Sequence, residues 1–119
     1  MCGIAGFCDF TRDNRAPEWA AVGREMAATL ARRGPDDEGL WQSKSCVLSH
    51  RRLAVIDPAQ GQQPMTLSEG GVTYALCYNG ELYNTDTLRS RLAWLDHRFR
   101  TRSDTEVLLH ACIQYGPEV

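Results

Sequence analysis

No apolar run in this sequence approaches the length needed to cross a bilayer, and no cationic start followed by an apolar stretch marks a signal peptide. A membrane role is therefore not expected. Excess positive charge is also missing. Thirteen Lys and Arg stand against fifteen Asp and Glu, for a net charge of −2. That argues against general nucleic-acid binding, which needs a basic surface. The local clusters Arg32-Arg33, Arg51-Arg52 and Arg98 to Arg102 are interrupted by apolar or acidic residues and read as separate surfaces. There is no Cys-x-x-Cys, and His50, His97 and His110 are scattered, so a metal site is not expected. The five cysteines, Cys2, Cys8, Cys46, Cys77 and Cys112, form an odd set without short paired spacings. They read as reduced thiols in a cytoplasmic setting. No Gly-x-x-x-x-Gly-Lys loop is present to cradle a nucleotide phosphate.

What remains is an ordinary globular composition, 43% hydrophobic and 24% charged over 119 residues, enough for one domain at most. Residues 2–8 are apolar and β-prone and read as a buried strand, with Gly3 and Gly6 allowing close approach. Residues 17–32 read as a helix with Pro17 in its first turn, Gly34 beyond its end, and Trp19, Val22, Met26 and Leu30 as its apolar stripe. After a turn-rich loop from Arg33 to Gly39, strands are expected over 39–43 and 46–56, broken at Ser43-Lys44-Ser45. Residues 57–70, with Pro58, Gly61, Pro64 and Gly70, read as a long loop of the kind that often carries function. A strand over 72–78 follows. A helix over 85–95 has Asn84 as its cap and Leu88, Leu92 and Leu95 on one face. Ser103 and Glu106 form a capping-box signature for a last helix carrying Val107, Leu108, Ala111, Cys112 and Tyr115 and ending at Gly116-Pro117. The class is α+β. A β-rich core of this kind wants further strands to cover its face, so the sequence reads as the front part of a larger domain.

The second residue carries the first chemical signal. Removal of Met1 would leave Cys2 with a thiol and a free α-amine on the same carbon. An α-amine titrates near ~8, close enough to neutrality to take the thiol proton directly or through one water. Nucleophile and base would then share one residue. The plainer alternative is a small cysteine in a strand core.

Four segments and a fifth decide between them: Cys2-Gly3-Ile4-Ala5-Gly6, Arg33-Gly34-Pro35-Asp36, Ser49-His50-Arg51-Arg52-Leu53-Ala54-Val55-Ile56-Asp57, Tyr78-Asn79-Gly80-Glu81-Leu82-Tyr83-Asn84, and Ser103-Asp104-Thr105-Glu106. In this order they resemble the class II glutamine amidotransferases, which are N-terminal-nucleophile hydrolases, and most closely the glutaminase domain of asparagine synthetases of the glutamine-hydrolysing type. The resemblance covers essentially the whole chain. It implies an αββα sandwich, here incomplete at the C-terminus, with residues 1–119 forming the N-terminal part of the domain.

The resemblance also implies roles. Cys2 is the nucleophile. The Asn79 side-chain amide and the Gly80 backbone N–H form the oxyanion hole, although Asn-Gly between β-prone runs is equally a strong hairpin signal. Arg52 grips the glutamine carboxylate with two parallel hydrogen bonds, a geometry suited to guanidinium, although from the residues alone a solvated arginine at a strand end is the plainer alternative. It is preferred to Arg51 because it directly precedes Leu53. Backbone groups around Val55 and Ile56 line the same pocket. Asp104 and Glu81 face the substrate ammonium, while Asp104 alone could equally be an acidic residue in a helix first turn. Arg33 to Asp36 shape the pocket. The implied activity is glutamine hydrolysis supplying ammonia, within a parent that makes asparagine from aspartate.

ATP and magnesium belong to a synthetase domain whose serine-, glycine- and aspartate-rich pyrophosphate signature does not occur in these residues. No cofactor is expected in this chain. The expected partners are glutamine and that synthetase domain, with a homodimer open as the assembly. Two alternatives stay open: an amidotransferase-like domain of a peptide or antibiotic pathway, and a non-catalytic binding module on the same fold.

Overall fold

Alternation between apolar and small residues at the start of the chain produces β1 (Gly3–Cys8). Its partner is β3 (Cys46–Arg52), and β2 (Asp37–Gln42) lies on the other side of β3, giving an antiparallel sheet in the order β1-β3-β2. The register runs from Gly3 opposite Arg51 to Cys8 opposite Cys46, and from Asp37 opposite Arg52 to Gln42 opposite Val47. This computed structural model describes residues 2–53 and 61–119. The strand expected over 46–56 is therefore described to its end at Arg52. β1 is not the buried strand expected: Gly3 is buried, but Ile4, Gly6 and Cys8 are exposed.

Helix α1 (Pro17–Ala28) packs on this sheet. It stops short of the expected residue 32, and the chain continues in turns, with the Gly34 N–H returning to the Leu30 carbonyl at 3.2 Å. Its buried line is Ala20, Gly23 and Ala27 rather than the larger residues expected, which flank that line half-buried. The reason is distance. A Cβ on Gly23 would lie 2.6 Å from Leu40 and 2.8 Å from Val47, so only small residues let the helix approach the sheet this closely.

The expected loop over 57–70 hides a strand. β4 (Met65–Glu69) pairs antiparallel with β5 (Val72–Leu76) through Gly70-Gly71, whose φ values of 59° and 78° suit a tight two-residue hairpin turn. Helices α2 (Thr85–Trp94) and α3 (Asp104–Tyr115) pack together, and α3 lies against β4 and β5. Leu92, Val107 and Ala111 form their core, with Leu82, Leu88 and Phe99 against it. Leu95 falls just past the helix end and is exposed, so it does not continue the Leu88–Leu92 face.

Helix capping follows the sequence in part. Ser103 caps α3 by accepting from the Thr105 N–H at 3.1 Å, and Gly116 ends it with its N–H on the Cys112 carbonyl at 2.8 Å. Glu106 does not return to Ser103. Its buried carboxylate accepts instead from the N–H groups of Arg100 at 2.6 Å and Thr101 at 2.7 Å, tying down the segment before the helix. Asn84 gives α2 no side-chain cap.

The expectation of reduced thiols fails at one pair. Cys8 and Cys46 face each other directly across β1 and β3 and are joined in a disulfide, while Cys2, Cys77 and Cys112 are free. Direct opposition brings side chains within reach however far apart they stand in sequence. The architecture is thus mixed α and β. Among the described residues no helix is long and apolar enough to cross a membrane.

Candidate functional site

The site is built where sheet β1-β3-β2 ends. Gly3 pairs with Arg51, so Cys2 and Arg52 lie at the same end of neighbouring strands. Cys2 is half-buried with a free thiol. Its backbone carbonyl accepts from Asn79 Nδ2 at 3.2 Å and from Arg33 Nε at 3.3 Å. These contacts join the start of the chain, the loop after α1 and the segment after β5.

Arg51 and Arg52 project to opposite faces of β3 by strand alternation. Arg51 is engaged structurally, with Nη1 on Glu38 Oε2 at 2.8 Å and Nε on the Gly34 carbonyl at 2.8 Å. Arg52 reaches the other way: a Cβ on Gly61 would lie 3.6 Å from Arg52 Nη2 and 3.1 Å from Ser103 Oγ. Its guanidinium therefore stands near Ser103, the N-cap of α3. The loop from Arg33 to Asp36 frames this strand end. The Asp36 N–H donates to the Arg52 carbonyl at 3.0 Å, and Gly34 lies so close that a Cβ there would meet the Arg51 carbonyl carbon at 2.3 Å.

Residues 77–82 belong to no strand, and β5 ends at Leu76, so Asn79-Gly80 does not form the alternative hairpin. Side chains satisfy this segment's backbone instead. The Tyr78 N–H donates to Gln63 Oε1 at 2.5 Å, and the Leu82 N–H donates to Asp104 Oδ2 at 3.1 Å. Asn79, Gly80 and Glu81 between them are exposed. Burial, and then the negative charge of Asp104 with Tyr83 and Glu81 nearby, raise the Tyr78 phenol above its ordinary value. Val55 and Ile56 lie outside the described residues.

His50, although part of the Ser49 to Asp57 segment, and Gln63 are given no role by the sequence, and both border the site. His50 is buried beside the Tyr78 backbone, with Nε2 lacking a hydrogen-bond partner among the described residues. Burial pushes its imidazole below the usual histidine value, against the opposing pull of the Tyr78 carbonyl. Burial also pushes the neighbouring Cys77 thiol up to about 11, which leaves it protonated and inert as a nucleophile at neutral pH. Among the described residues no group of three or more His, Cys, Asp or Glu side chains is arranged to hold a metal ion. A cleft of about 230 Å³ borders Gln62 to Pro64 and β2, and none of the residues expected from sequence lines it.

A family model described as a glutamine amidotransferase domain matches residues 1–119. Asparagine synthetase (glutamine-hydrolyzing) 3 of Bacillus subtilis strain 168 is 46% identical over 115 residues, covering 97% of this chain and 18% of its own length. The asparagine synthetase (glutamine-hydrolyzing) of Asparagus officinalis is 41% identical over 118 residues, with coverages of 99% and 19%. Asparagine synthetase (glutamine-hydrolyzing) 1 of Arabidopsis thaliana is 42% identical over 116 residues, with coverages of 98% and 19%. The chain spans about a fifth of the length of these relatives.

Proposed function

The chain belongs to the glutamine amidotransferase domain family, and on that premise we propose that it hydrolyses the side-chain amide of glutamine and supplies the ammonia to a synthetase domain of a longer parent enzyme. The observation that carries this reading is the hydrogen bond from Asn79 Nδ2 to the Cys2 carbonyl at 3.2 Å, between residues 77 apart in sequence. It supports a nucleophile and an oxyanion donor held in one place.

Removal of Met1 frees the Cys2 α-amine, which takes the thiol proton. The thiolate attacks the glutamine amide carbon, and the carbonyl oxygen becomes an oxyanion. The Asn79 amide has two N–H groups. One holds the Cys2 carbonyl, and the other serves the oxyanion together with the Gly80 N–H. The ammonium formed on Cys2 returns its proton to the leaving nitrogen, and ammonia departs. Water then hydrolyses the glutamyl thioester to glutamate and restores the thiol. Arg52 takes the substrate carboxylate, Asp104 and Glu81 take its ammonium, and backbone groups around Val55 and Ile56 line the pocket. A zwitterionic substrate requires such a pairing of one cationic with anionic contacts.

The rest of the proposal extends beyond these residues. The domain completes an N-terminal-nucleophile αββα sandwich, of which residues 1–119 supply the N-terminal part. The parent converts aspartate to asparagine with ATP and magnesium in its synthetase domain, works in the cytoplasm and assembles as a homodimer. The relatives' names and their length, about five times that of this chain, support a longer parent with a synthetase domain.

Ammonia release from glutamine by the full-length protein and its Cys2→Ala variant tests the reading. Release by the parent alone is expected, and equal release from both would end it. Mass spectrometry of the active protein should find Met1 removed.

A further inference from the structure

Between β5 and α2 the chain crosses the site without strand partners, yet Asn79 and Gly80 must be held to a fraction of an ångström to serve a developing oxyanion. Two side chains bracket them. On the far side, Asp104 Oδ2 accepts from the Leu82 N–H at 3.1 Å. On the near side, Gln63 Oε1 accepts from the Tyr78 N–H at 2.5 Å, while Gln63 Nε2 donates to Thr105 Oγ1 at 3.2 Å. Thr105 is buried in the first turn of α3. Both brackets therefore end on consecutive residues of one helix.

Gln63 is itself fixed. Its backbone carbonyl lies so close to Gly39 that a Cβ there would meet it at 1.7 Å, so β2 stands directly against it. A half-buried glutamine whose two amide atoms join two separate segments is well suited to carry position from one to the other. We infer that Gln63 is a positioning residue for the oxyanion hole: through Thr105 and the Tyr78 peptide it holds Asn79 and Gly80 at a set distance from the α3 terminus that carries Asp104. Substrate clamp and oxyanion donors then share one reference point. This inference rests on the amidotransferase reading and adds to it a residue that never touches substrate.

The test uses the full-length protein with Gln63→Met, which keeps side-chain length but loses both bonds, and Gln63→Glu, which keeps an acceptor for the Tyr78 N–H. Hydrogen exchange at the Tyr78, Asn79 and Gly80 amides is followed together with the kcat and KM of glutamine hydrolysis. Gln63→Met should speed exchange at Tyr78 and lower kcat about 100-fold, as misplacement of about an ångström does, with KM within about threefold of the parent. Gln63→Glu should recover most of the lost kcat. Unchanged exchange in a folded Gln63→Met protein overturns the inference whatever the activity. So does a loss expressed in KM alone, or one that Gln63→Glu does not relieve. Faster exchange in a protein whose parent form hydrolyses no glutamine removes the amidotransferase reading and, with it, the oxyanion part of the inference. If Gln63→Met does not fold, Thr105→Val cuts the same link at its other end and is read by the same criteria.

Discussion

Asn79 Nδ2 donates to the backbone carbonyl of Cys2 at 3.2 Å, joining the second residue of the chain to a segment 77 positions later. The bond uses one of two side-chain N–H groups and leaves the other directed by the first.

Asn79→Ala removes both the donor and the link to Cys2. Loss of a single oxyanion donor raises the barrier by about 3 kcal/mol, roughly a hundredfold in kcat. Asn79→Asp should be at least as damaging, because an ionised carboxylate donates nothing and repels the developing charge. Glutamine-dependent ammonia release measures both. Asn79→Ala with kcat within twofold of the parent would remove Asn79 from the oxyanion hole.

Gly34→Ala should destabilise the protein and disturb Arg52. A Cβ at this position would sit 2.3 Å from the Arg51 carbonyl carbon and 2.5 Å from the Arg52 nitrogen, and backbone atoms in a paired strand do not yield like a side-chain tip. Overpacking of this kind costs about 1–3 kcal/mol. Urea denaturation should show a lower midpoint, and the KM for glutamine should rise because the end of β3 carries the guanidinium. An unchanged midpoint would show that this strand end gives way freely.

These two positions show how far the sequence could be read. Local signals carried well: Ser103 three residues before Glu106 marked the start of α3, and Gly116 marked its end. β4 was missed, because Pro64 and Gly70 on either side of Met65 to Glu69 made the stretch read as a loop. The buried line of α1 could not be read from residue size, because its small residues face a sheet whose distance the sequence does not state. Contacts between side chains and irregular backbone far away in sequence left no pattern. Gln63 on the Tyr78 peptide and Glu106 on the Arg100 and Thr101 amides are side chains meeting irregular backbone, which has no period. The choice of Arg52 over Arg51 came from its place before Leu53, whereas the pairing of β3 with β2, which sets Arg51 beside Glu38, was not legible.

The Cys8–Cys46 bond makes stability depend on redox conditions. Its sequence separation of 38 corresponds, by the loop-entropy relation, to about 4 kcal/mol of stabilisation as an upper figure, with about 2–4 kcal/mol typical of measured disulfides. Dithiothreitol or Cys46→Ser should lower the denaturation midpoint by equivalent amounts, and dithiothreitol should do nothing further to the variant. Glutaminase activity should survive at low denaturant, since the bond lies at the opposite end of β1 from Cys2. Equal midpoints with and without reductant would show that the bond does not form in solution.

Two histidines should set the acid limit of the fold. Burial is the main cause that pushes the imidazoles of His50 and His110 below the ordinary histidine value. At His110 the charges of His97 and Arg89 act in the same direction, against Glu106 and Glu69. His97 Nδ1 and His110 Nδ1 stand 2.8 Å apart, so one proton fits between them and a second would set N–H against N–H. The unfolded chain takes up its histidine protons near ~6.5, and the folded chain does so only at lower pH. Between those values the unfolded state binds more protons, and stability falls as pH falls. Above about 6.5 both states are neutral at these positions and the full contribution is present. The urea midpoint should therefore be level from pH 8 to 7 and drop through pH 6 towards 5. Asp9 and Asp13 act in a different window. Hydrogen bonds from Thr11 and Arg15 hold them below the usual carboxylate range, so their contribution is lost only as pH falls below about 4. His110→Gln can keep the bond to His97 without taking a proton, and it should flatten the slope between pH 7 and 5. A midpoint that stays constant over that interval in the parent protein would show that neither imidazole is held neutral by the fold.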